Sequence, residues 1–136
     1  MGASRQRGRS RVENPIGERP SLMEYFLDIA VAVSERSICP SGKKHGAVLV
    51  DARNRIVSTG YNGPKAGKDP CAMCTLETDK LGKDWRTCPA IHAEVNAMLN
   101  LEGTMPQRPL RIYVTKKPCE KCQDLLDNRG IGVVHL

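Results

Sequence analysis

The pattern of apolar and polar positions predicts an amphipathic helix after a polar opening segment. In "SLMEYFLDIAVAVSERS", apolar residues recur at helical spacing and predict one buried stripe. Ser21, with Glu24 three residues later, has the pattern of a capping box, so the helix is predicted to begin there. The predicted stripe consists of Leu22, Phe26, Ile29, Ala30 and Val33.

The rest of the pattern alternates between strands and helices. "HGAVLVD" and "RIVSTGYN" are β-rich runs separated by "ARN", which predicts a hairpin. From residue 89, "AIHAEVNAMLNLE" has helical spacing at Ile91, Val95, Met98 and Leu99, with Gly103 ending the helix. "LRIYVT" then predicts a strand, "CEKCQDLLDNRG" a short helix and "IGVVHL" a final strand. This order predicts an α/β fold with a mixed sheet, whose last two strands are parallel because a helix joins them.

Residues 63–87, between the hairpin and the second helix, have no periodic pattern. They are rich in Pro, Gly, Asp and Lys and contain only short apolar fragments. Long loops inside a compact domain are usually functional or fixed by a metal. We therefore expect this loop to contribute to a site.

The length of the chain, its lack of long apolar segments and its cysteines limit the possible classes of protein. The 136 residues fit one domain, and the chain shows neither an apolar run of membrane-spanning length nor a secretory signal, which predicts a cytoplasmic protein. Six cysteines in such a protein indicate metal binding or catalysis rather than disulfides.

The net charge of +6 is concentrated at the N-terminus. Residues 1–20 contain five arginines and two glutamates, which gives this segment half of the net charge. We interpret residues 1–20 as a disordered basic arm and residues 21–136 as the folded domain. The charge suits an anionic partner, either a nucleic acid or a nucleotide phosphate.

Four residues suggest a catalytic zinc site. Cys119 and Cys122 lie one helical turn apart in "PCEKC", and His92 in "IHAE" supplies a third ligand. Three protein ligands leave the fourth position of a tetrahedral zinc ion to water, which is typical of catalytic sites. Glu94 is two residues from His92, so it does not share a helix face with it. We therefore predict that Glu94 is the acid/base residue rather than a ligand.

The combination of H-A-E with a later P-C-x-x-C matches the signature of zinc nucleobase deaminases. Together with "HGAVLVDARNRIVSTGYNGP" and "RIYVTKKPCEKC", it resembles the cytidine and deoxycytidylate deaminase superfamily over residues 21–136, and most of all its deoxycytidylate (dCMP) deaminase branch. The resemblance implies a three-layer α/β/α fold and zinc-dependent hydrolysis of dCMP to dUMP. It also implies a homohexamer activated by dCTP and inhibited by dTTP.

The resemblance also implies roles for individual residues. His92, Cys119 and Cys122 would hold zinc, Glu94 would transfer protons, and Asn62 of "GYNG" would contact the sugar. The backbone at Ala93 is expected to read the base, because a small residue permits close approach. Some members of the branch hold a second, structural zinc, and we predict such a Cys₄ site here. Its predicted ligands are Cys39, Cys71, Cys74 and Cys88.

Two other functions compete with this interpretation. A nucleic-acid-editing deaminase, acting on tRNA adenosine or single-stranded cytosine, would use the basic arm to bind phosphates, but "CEKCQDLL" departs from the usual tRNA-deaminase pattern. A non-catalytic zinc ribbon would combine the two C-x-x-C pairs, Cys71 with Cys74 and Cys119 with Cys122. That hypothesis gives no role to the histidine and glutamate of "IHAE".

Overall fold

The computed structural model describes residues 17–39, 42–64 and 91–136. Within these ranges the chain forms three helices and four strands. The helices are α1 (Leu22–Ser34), α2 (Ala93–Leu99) and α3 (Glu120–Asn128). The strands are β1 (Gly46–Val50), β2 (Ile56–Tyr61), β3 (Arg111–Val114) and β4 (Gly132–His135). Among the described helices, none has the length and apolar character needed to cross a membrane.

The four strands form one mixed sheet in the order β2-β1-β3-β4. Strand β1 pairs antiparallel with both β2 and β3, whereas β3 and β4 are parallel, as predicted from the helix that joins them. The hairpin between β1 and β2 is closed by Asp51. Its carboxylate accepts hydrogen bonds from the backbone N–H groups of Arg53 and Arg55, each at 2.9 Å.

Side chains alternate between the two faces of the sheet and build a core on each. On one face, α1 packs its buried residues against Val48, Val50 and Tyr113. On the other face, Ala47, Leu49, Ile112 and Val114 pack with residues of α2 and α3. The buried members contributed by helices are Phe26, Leu27, Ala30, Ala93, Ala97 and Leu126. The sheet therefore lies between α1 and the α2–α3 pair, which confirms the predicted three-layer α/β/α fold.

Two glycines allow the helices to approach the sheet closely. A Cβ atom added to Gly60 would lie 2.3 Å from the backbone nitrogen of Ala97 in α2, and one added to Gly46 would overlap the backbone of Ala30 in α1. Because side chains are absent at both points, helix backbone lies directly against strand backbone on both faces.

The structure corrects the predicted extents and faces of two helices. Helix α1 begins as predicted, with both hydrogen bonds of the Ser21–Glu24 capping box present, but Leu22 is half exposed rather than buried. Helix α2 begins only at Ala93, because Ile91 pairs with Gly63 as an isolated β-bridge. It ends at Leu99, with Asn100 as its C-cap, so Gly103 does not end the helix as predicted.

The buried face of α2 also differs from the predicted apolar positions. Leu99 is 49% exposed, and the buried residues are Ala93, Glu94, Asn96 and Ala97. Small residues face the sheet because Gly60 brings the helix too close for larger ones. The spacing of apolar residues in the sequence does not reveal this close approach of helix and sheet.

Candidate functional site

The predicted metal ligands come together in space. His92, Cys119 and Cys122 offer ligand atoms that all lie within 4.8 Å of one another. The Nδ1 atom of His92 is 3.3 Å from Sγ of Cys122 and 3.6 Å from Sγ of Cys119. The zinc-ribbon hypothesis left His92 without a role, so its presence in this cluster favours the deaminase interpretation.

Two sets of hydrogen bonds to the end of β2 and the residues after it fix His92 at the start of α2. The preceding residue, Ile91, exchanges hydrogen bonds of 2.7 and 3.0 Å with Gly63. One turn into the helix, the buried side chain of Asn96 donates to the backbone oxygens of Tyr61 and Gly63 at 2.8 and 3.3 Å. The end of β2 and the beginning of α2 are therefore joined, and His92 is the residue where they meet.

The two cysteines are placed by the turn from β3 into α3. Cys119 is the N-cap of α3 and is exposed, whereas Cys122 lies in the first turn and is 4% exposed. The Cys119 side chain makes no capping hydrogen bond. Both cysteines lie at the N-terminal end of α3, where the first backbone N–H groups have no acceptor within the helix.

Burial makes the Cys122 thiol a weaker acid than an ordinary thiol. Desolvation, followed by the negative charge of Glu94 and by Cys119, raises the pKa of Cys122 to about 12. A thiol with this pKa keeps its proton near neutral pH unless a cation takes the proton's place. In the absence of a cation, the surroundings of Cys122 therefore favour the neutral thiol, which is a poor nucleophile.

Glu94 is a buried carboxylate beside the cluster. It is 7% exposed, lies in the first turn of α2, and its charge acts on Cys122. It does not belong to the group of ligand atoms. The structure thus brings it near the metal ligands without making it one of them, which is the position expected of an acid/base residue.

The predicted sugar and base contacts lie next to His92. Asn62 is buried; its side-chain oxygen accepts from the backbone N–H of His45, and its amide nitrogen donates to the backbone oxygen of Lys43, each at 2.9 Å. An amide offers two donors and two acceptor lone pairs, and these two bonds, counted within the described residues, use one of each. Ala93 is buried directly after His92. Neither role is tested by these contacts, and both stay predictions.

The predicted Cys₄ site lies mostly outside the described residues. Cys39 is half-buried at the end of the segment that follows α1. Cys71, Cys74 and Cys88 fall between residues 65 and 90, which the structure does not describe.

His45 is a candidate site residue that the sequence analysis did not identify. It directly precedes β1, and burial together with the charges of Lys116, His92 and Lys43 lowers its pKa. In the sequence it looks like the first residue of a strand. The available signal was a titratable residue directly before the apolar run "GAVLV".

Comparison with known proteins agrees with the site geometry. Residues 20–136 match the family described as the cytidine and deoxycytidylate deaminase zinc-binding region. The deoxycytidylate deaminase of Mycobacterium phage D29 is 38% identical over 125 residues, covering 83% of this chain and 91% of the phage protein. The human deoxycytidylate deaminase is 32% identical over 111 residues, covering 82% of this chain and 61% of the human protein.

The fold also matches a solved structure. The dCMP deaminase of cyanophage S-TIM5, crystallised with dCMP and dUMP, superposes with a TM-score of 0.69 over 87% of this chain and 82% of that chain. The sequence identity is 22%, so this likeness shows the shared fold alone. It confirms the predicted cytidine-deaminase-like architecture.

Proposed function

This chain belongs to the cytidine and deoxycytidylate deaminase family, and from that membership we propose that it catalyses the zinc-dependent hydrolysis of dCMP to dUMP. The observation that carries the proposal is the group of His92, Cys119 and Cys122 with buried Glu94 beside it. The 38% identity to a phage deoxycytidylate deaminase, over nearly all of that protein, supports dCMP as the substrate. The reaction would supply a precursor of thymidylate.

The two nitrogen–sulfur separations in the cluster fit zinc. Zinc binds sulfur at about 2.3 Å and imidazole nitrogen at about 2.0–2.1 Å in a tetrahedron. Bonds of that length place neighbouring nitrogen and sulfur ligands about 3.6 Å apart. The separations of 3.3 and 3.6 Å in this chain are close to that value. One histidine and two cysteines also match the ligand preference of zinc.

The reaction replaces the amino group at C4 of cytosine with an oxygen atom from water. When bound, zinc supplies Lewis-acid activation of water, lowering its pKa from about 15.7 toward about 7. Glu94 accepts a proton from the attacking water and donates a proton to N3 of the ring. It then helps to protonate the departing amino group, which leaves as ammonia. A buried carboxylate suits these transfers because little bulk water competes for the proton.

The neighbouring residues would orient the nucleotide. The backbone at Ala93 reads the base, and the remaining donor and acceptor of the Asn62 amide bind the sugar. Because Asn62 already bonds the backbone on both sides of Lys44, its amide is held in one orientation.

The sharpest test of the reaction is the substitution Glu94→Gln. We expect the variant to keep its fold and its zinc, while ammonia release from dCMP falls by several orders of magnitude because proton transfer is lost. Glu120→Gln, which changes an exposed acidic residue in the first turn of α3, is the matched control and should remain active. Near-native activity of Glu94→Gln would reject the assigned role.

The same assay tests substrate choice. Deoxycytidine, dCMP and single-stranded cytosine oligonucleotides should be compared with the unmodified protein, and dCMP is expected to react fastest. A preference for the oligonucleotide would favour a nucleic-acid-editing function instead.

A second zinc site is part of the proposal. Cys39, Cys71, Cys74 and Cys88 would close a Cys₄ tetrahedron that holds residues 63–87 against the domain. The support is physical: a polar segment of that length buries little apolar surface, and a closed zinc site contributes directly to folding free energy.

The assembly and regulation of the enzyme are proposed more broadly. Three large apolar side chains are exposed at the start of α1, namely Leu22, Met23 and Tyr25. Such an exposed apolar surface supports a homo-oligomer. We also propose that dCTP and dTTP bind as effectors and that the protein is cytoplasmic. Residues 1–20 are proposed to form a basic arm outside the catalytic domain. The arm is not expected to bind nucleic acid.

A further inference from the structure

Asn96 is a buried polar residue on the side of α2 that faces β2. It is 7% exposed, and its amide nitrogen lies within hydrogen-bond distance of three backbone oxygens. These oxygens belong to Tyr61 at 2.8 Å, Gly63 at 3.3 Å and Ile91 at 3.4 Å. Carbonyl oxygens cannot donate, so the amide atom among them must be the NH₂ group rather than the amide oxygen.

The distances indicate how the two N–H groups of the Asn96 amide are used. One N–H donates to Tyr61, whereas the two longer distances fit a second N–H that is shared between the oxygens of Gly63 and Ile91. Gly63 and Ile91 also bond each other through the two backbone hydrogen bonds of their β-bridge, at 2.7 and 3.0 Å. The Asn96 amide therefore covers this bridge from the helix side and connects it to the last residue of β2.

The acceptors of the Asn96 amide adjoin two residues of the proposed site. The Ile91 oxygen belongs to the peptide bond that leads into the metal ligand His92. The Tyr61 oxygen belongs to the peptide bond that leads into Asn62, and the residue after Asn62 supplies the third oxygen. The backbone N–H of Asn96 also donates to the His92 oxygen at 3.0 Å. One residue thus bonds the backbone on both sides of each of these two site residues.

Two further side-chain hydrogen bonds among the described residues attach α2 to β2, and both lie farther along the helix. Ser58 donates to the backbone oxygen of Ala97. Asn100, one turn after Asn96, donates from its amide to the backbone oxygen of Thr59 at 2.8 Å. These bonds hold the helix on the strand without Asn96. The Asn96 amide differs from them because it also reaches the segments that lead into the site.

We propose that Asn96 is a positioning residue, which holds the metal ligand His92 and the proposed sugar contact Asn62 at a fixed separation. The inference rests on the proposed function and deepens it by assigning this control to a residue that acts through the backbone of both. Groups that orient a metal ligand contribute to the affinity for the metal, and small displacements of a substrate contact weaken binding and turnover. Loss of the Asn96 amide therefore affects the metal and the substrate together.

The test measures zinc affinity and stability in Asn96→Ala, with Asn100→Ala as the matched control. Zinc is titrated in competition with a chelator, and the binding step that is absent in His92→Ala reports the proposed catalytic site. Asn96→Ala should weaken this step by about 10–100-fold, as is typical when a group that orients a metal ligand is removed. Asn100→Ala loses the same kind of helix-to-strand bond and should bind zinc as the wild type does.

The urea midpoint separates positioning from a purely structural role. Both variants lose one buried or partly buried amide bond to β2, so both midpoints can fall. A lower midpoint of Asn96→Ala with unchanged zinc affinity would overturn the proposal. If Asn96→Ala does not fold, Asn96→Ser is measured by the same criterion, because its hydroxyl is too short to reach the three oxygens together.

Kinetics on the zinc-saturated proteins distinguish this inference from the proposed reaction. In Asn96→Ala, the KM for dCMP should rise by up to about tenfold, as for loss of one well-placed hydrogen bond, while Asn100→Ala keeps the wild-type KM. If the wild type releases no ammonia from dCMP but Asn96→Ala alone weakens zinc binding, the positioning of His92 stands and the proposed reaction fails. If the wild type deaminates dCMP and Asn96→Ala matches it in zinc affinity and KM, the positioning role is rejected and the reaction stands.

Discussion

At the residue scale, Gly60 allows α2 to lie directly against the sheet, next to the metal ligands. The backbone oxygen of Ala93 and the backbone nitrogen of Ala97 would be 2.6 and 2.3 Å from a Cβ atom at this position. Ser58, two residues earlier on the same face, donates a hydrogen bond to the backbone oxygen of Ala97. The position of α2, and with it that of Glu94, therefore depends on the absence of one side chain.

We predict that Gly60→Ala destabilises the protein. The added methyl group meets backbone on α2, which cannot move aside as a flexible side chain can, so the free energy of unfolding should fall by about 1–3 kcal/mol. Urea denaturation measures the change. Gly132→Ala in β4 is the matched control, since its Cβ would meet only the Arg111 side chain, at 3.9 Å. A similar loss in both variants would contradict the steric explanation.

At the element scale, the turn of the β1–β2 hairpin is closed by several hydrogen bonds of Asp51. Asp51 accepts from two backbone N–H groups and from Nε of Arg55 at 3.2 Å, and its own N–H donates to the Arg55 oxygen at 2.9 Å. Asn54 adopts a left-handed conformation with φ of 62°, which asparagine tolerates well. The hairpin therefore helps to fix the register of β1, which is one of the two inner strands of the sheet.

These hydrogen bonds make the contribution of Asp51 dependent on pH. The backbone hydrogen bond from Arg55 is the largest cause that lowers the pKa of Asp51 below its ordinary value of 3.8. A carboxyl group whose folded pKa is depressed stabilises the fold above its unfolded pKa, and this stabilisation is lost as pH falls through the folded pKa. Asp51→Asn should therefore lower the urea midpoint at pH 7, and the difference from wild type should shrink below pH 3.8. Asp124→Asn, on the exposed part of α3, is the control; a difference for Asp51→Asn that persists unchanged at low pH would contradict this account.

The sequence predicts the helices and strands better than it predicts which side of each helix is buried. The hairpin, the capping box at Ser21 and the parallel β3–β4 pair followed from local signals and are all present. The buried face of α2 did not follow, because it is set by the close approach at Gly60, a contact between residues far apart in the chain. His45 was missed for a similar reason: its neighbours Lys116 and His92 come from other segments.

At the scale of the whole molecule, the metal content of the protein tests the proposed second site. We expect about two zinc ions per purified chain, one at each proposed site. His92→Ala should lose one of them, and Cys74→Ser should lose the other while keeping the zinc bound by His92. Metal analysis of the three proteins decides the question. A ratio of one zinc per chain in the wild type would reject the Cys₄ site.

The ligands of the catalytic cluster come from distant parts of the chain. His92 is 27 positions from Cys119 and 30 from Cys122. A cation bound by all three closes a covalently continuous ring that contains α2 and β3. The chain-entropy model for crosslinks assigns about 3–4 kcal/mol to a ring of that size, through the freedom it removes from the unfolded chain. Neither α1 nor the hairpin belongs to this ring, so a bound metal would crosslink only the segment from His92 to Cys122, although the end of β2 helps to position His92.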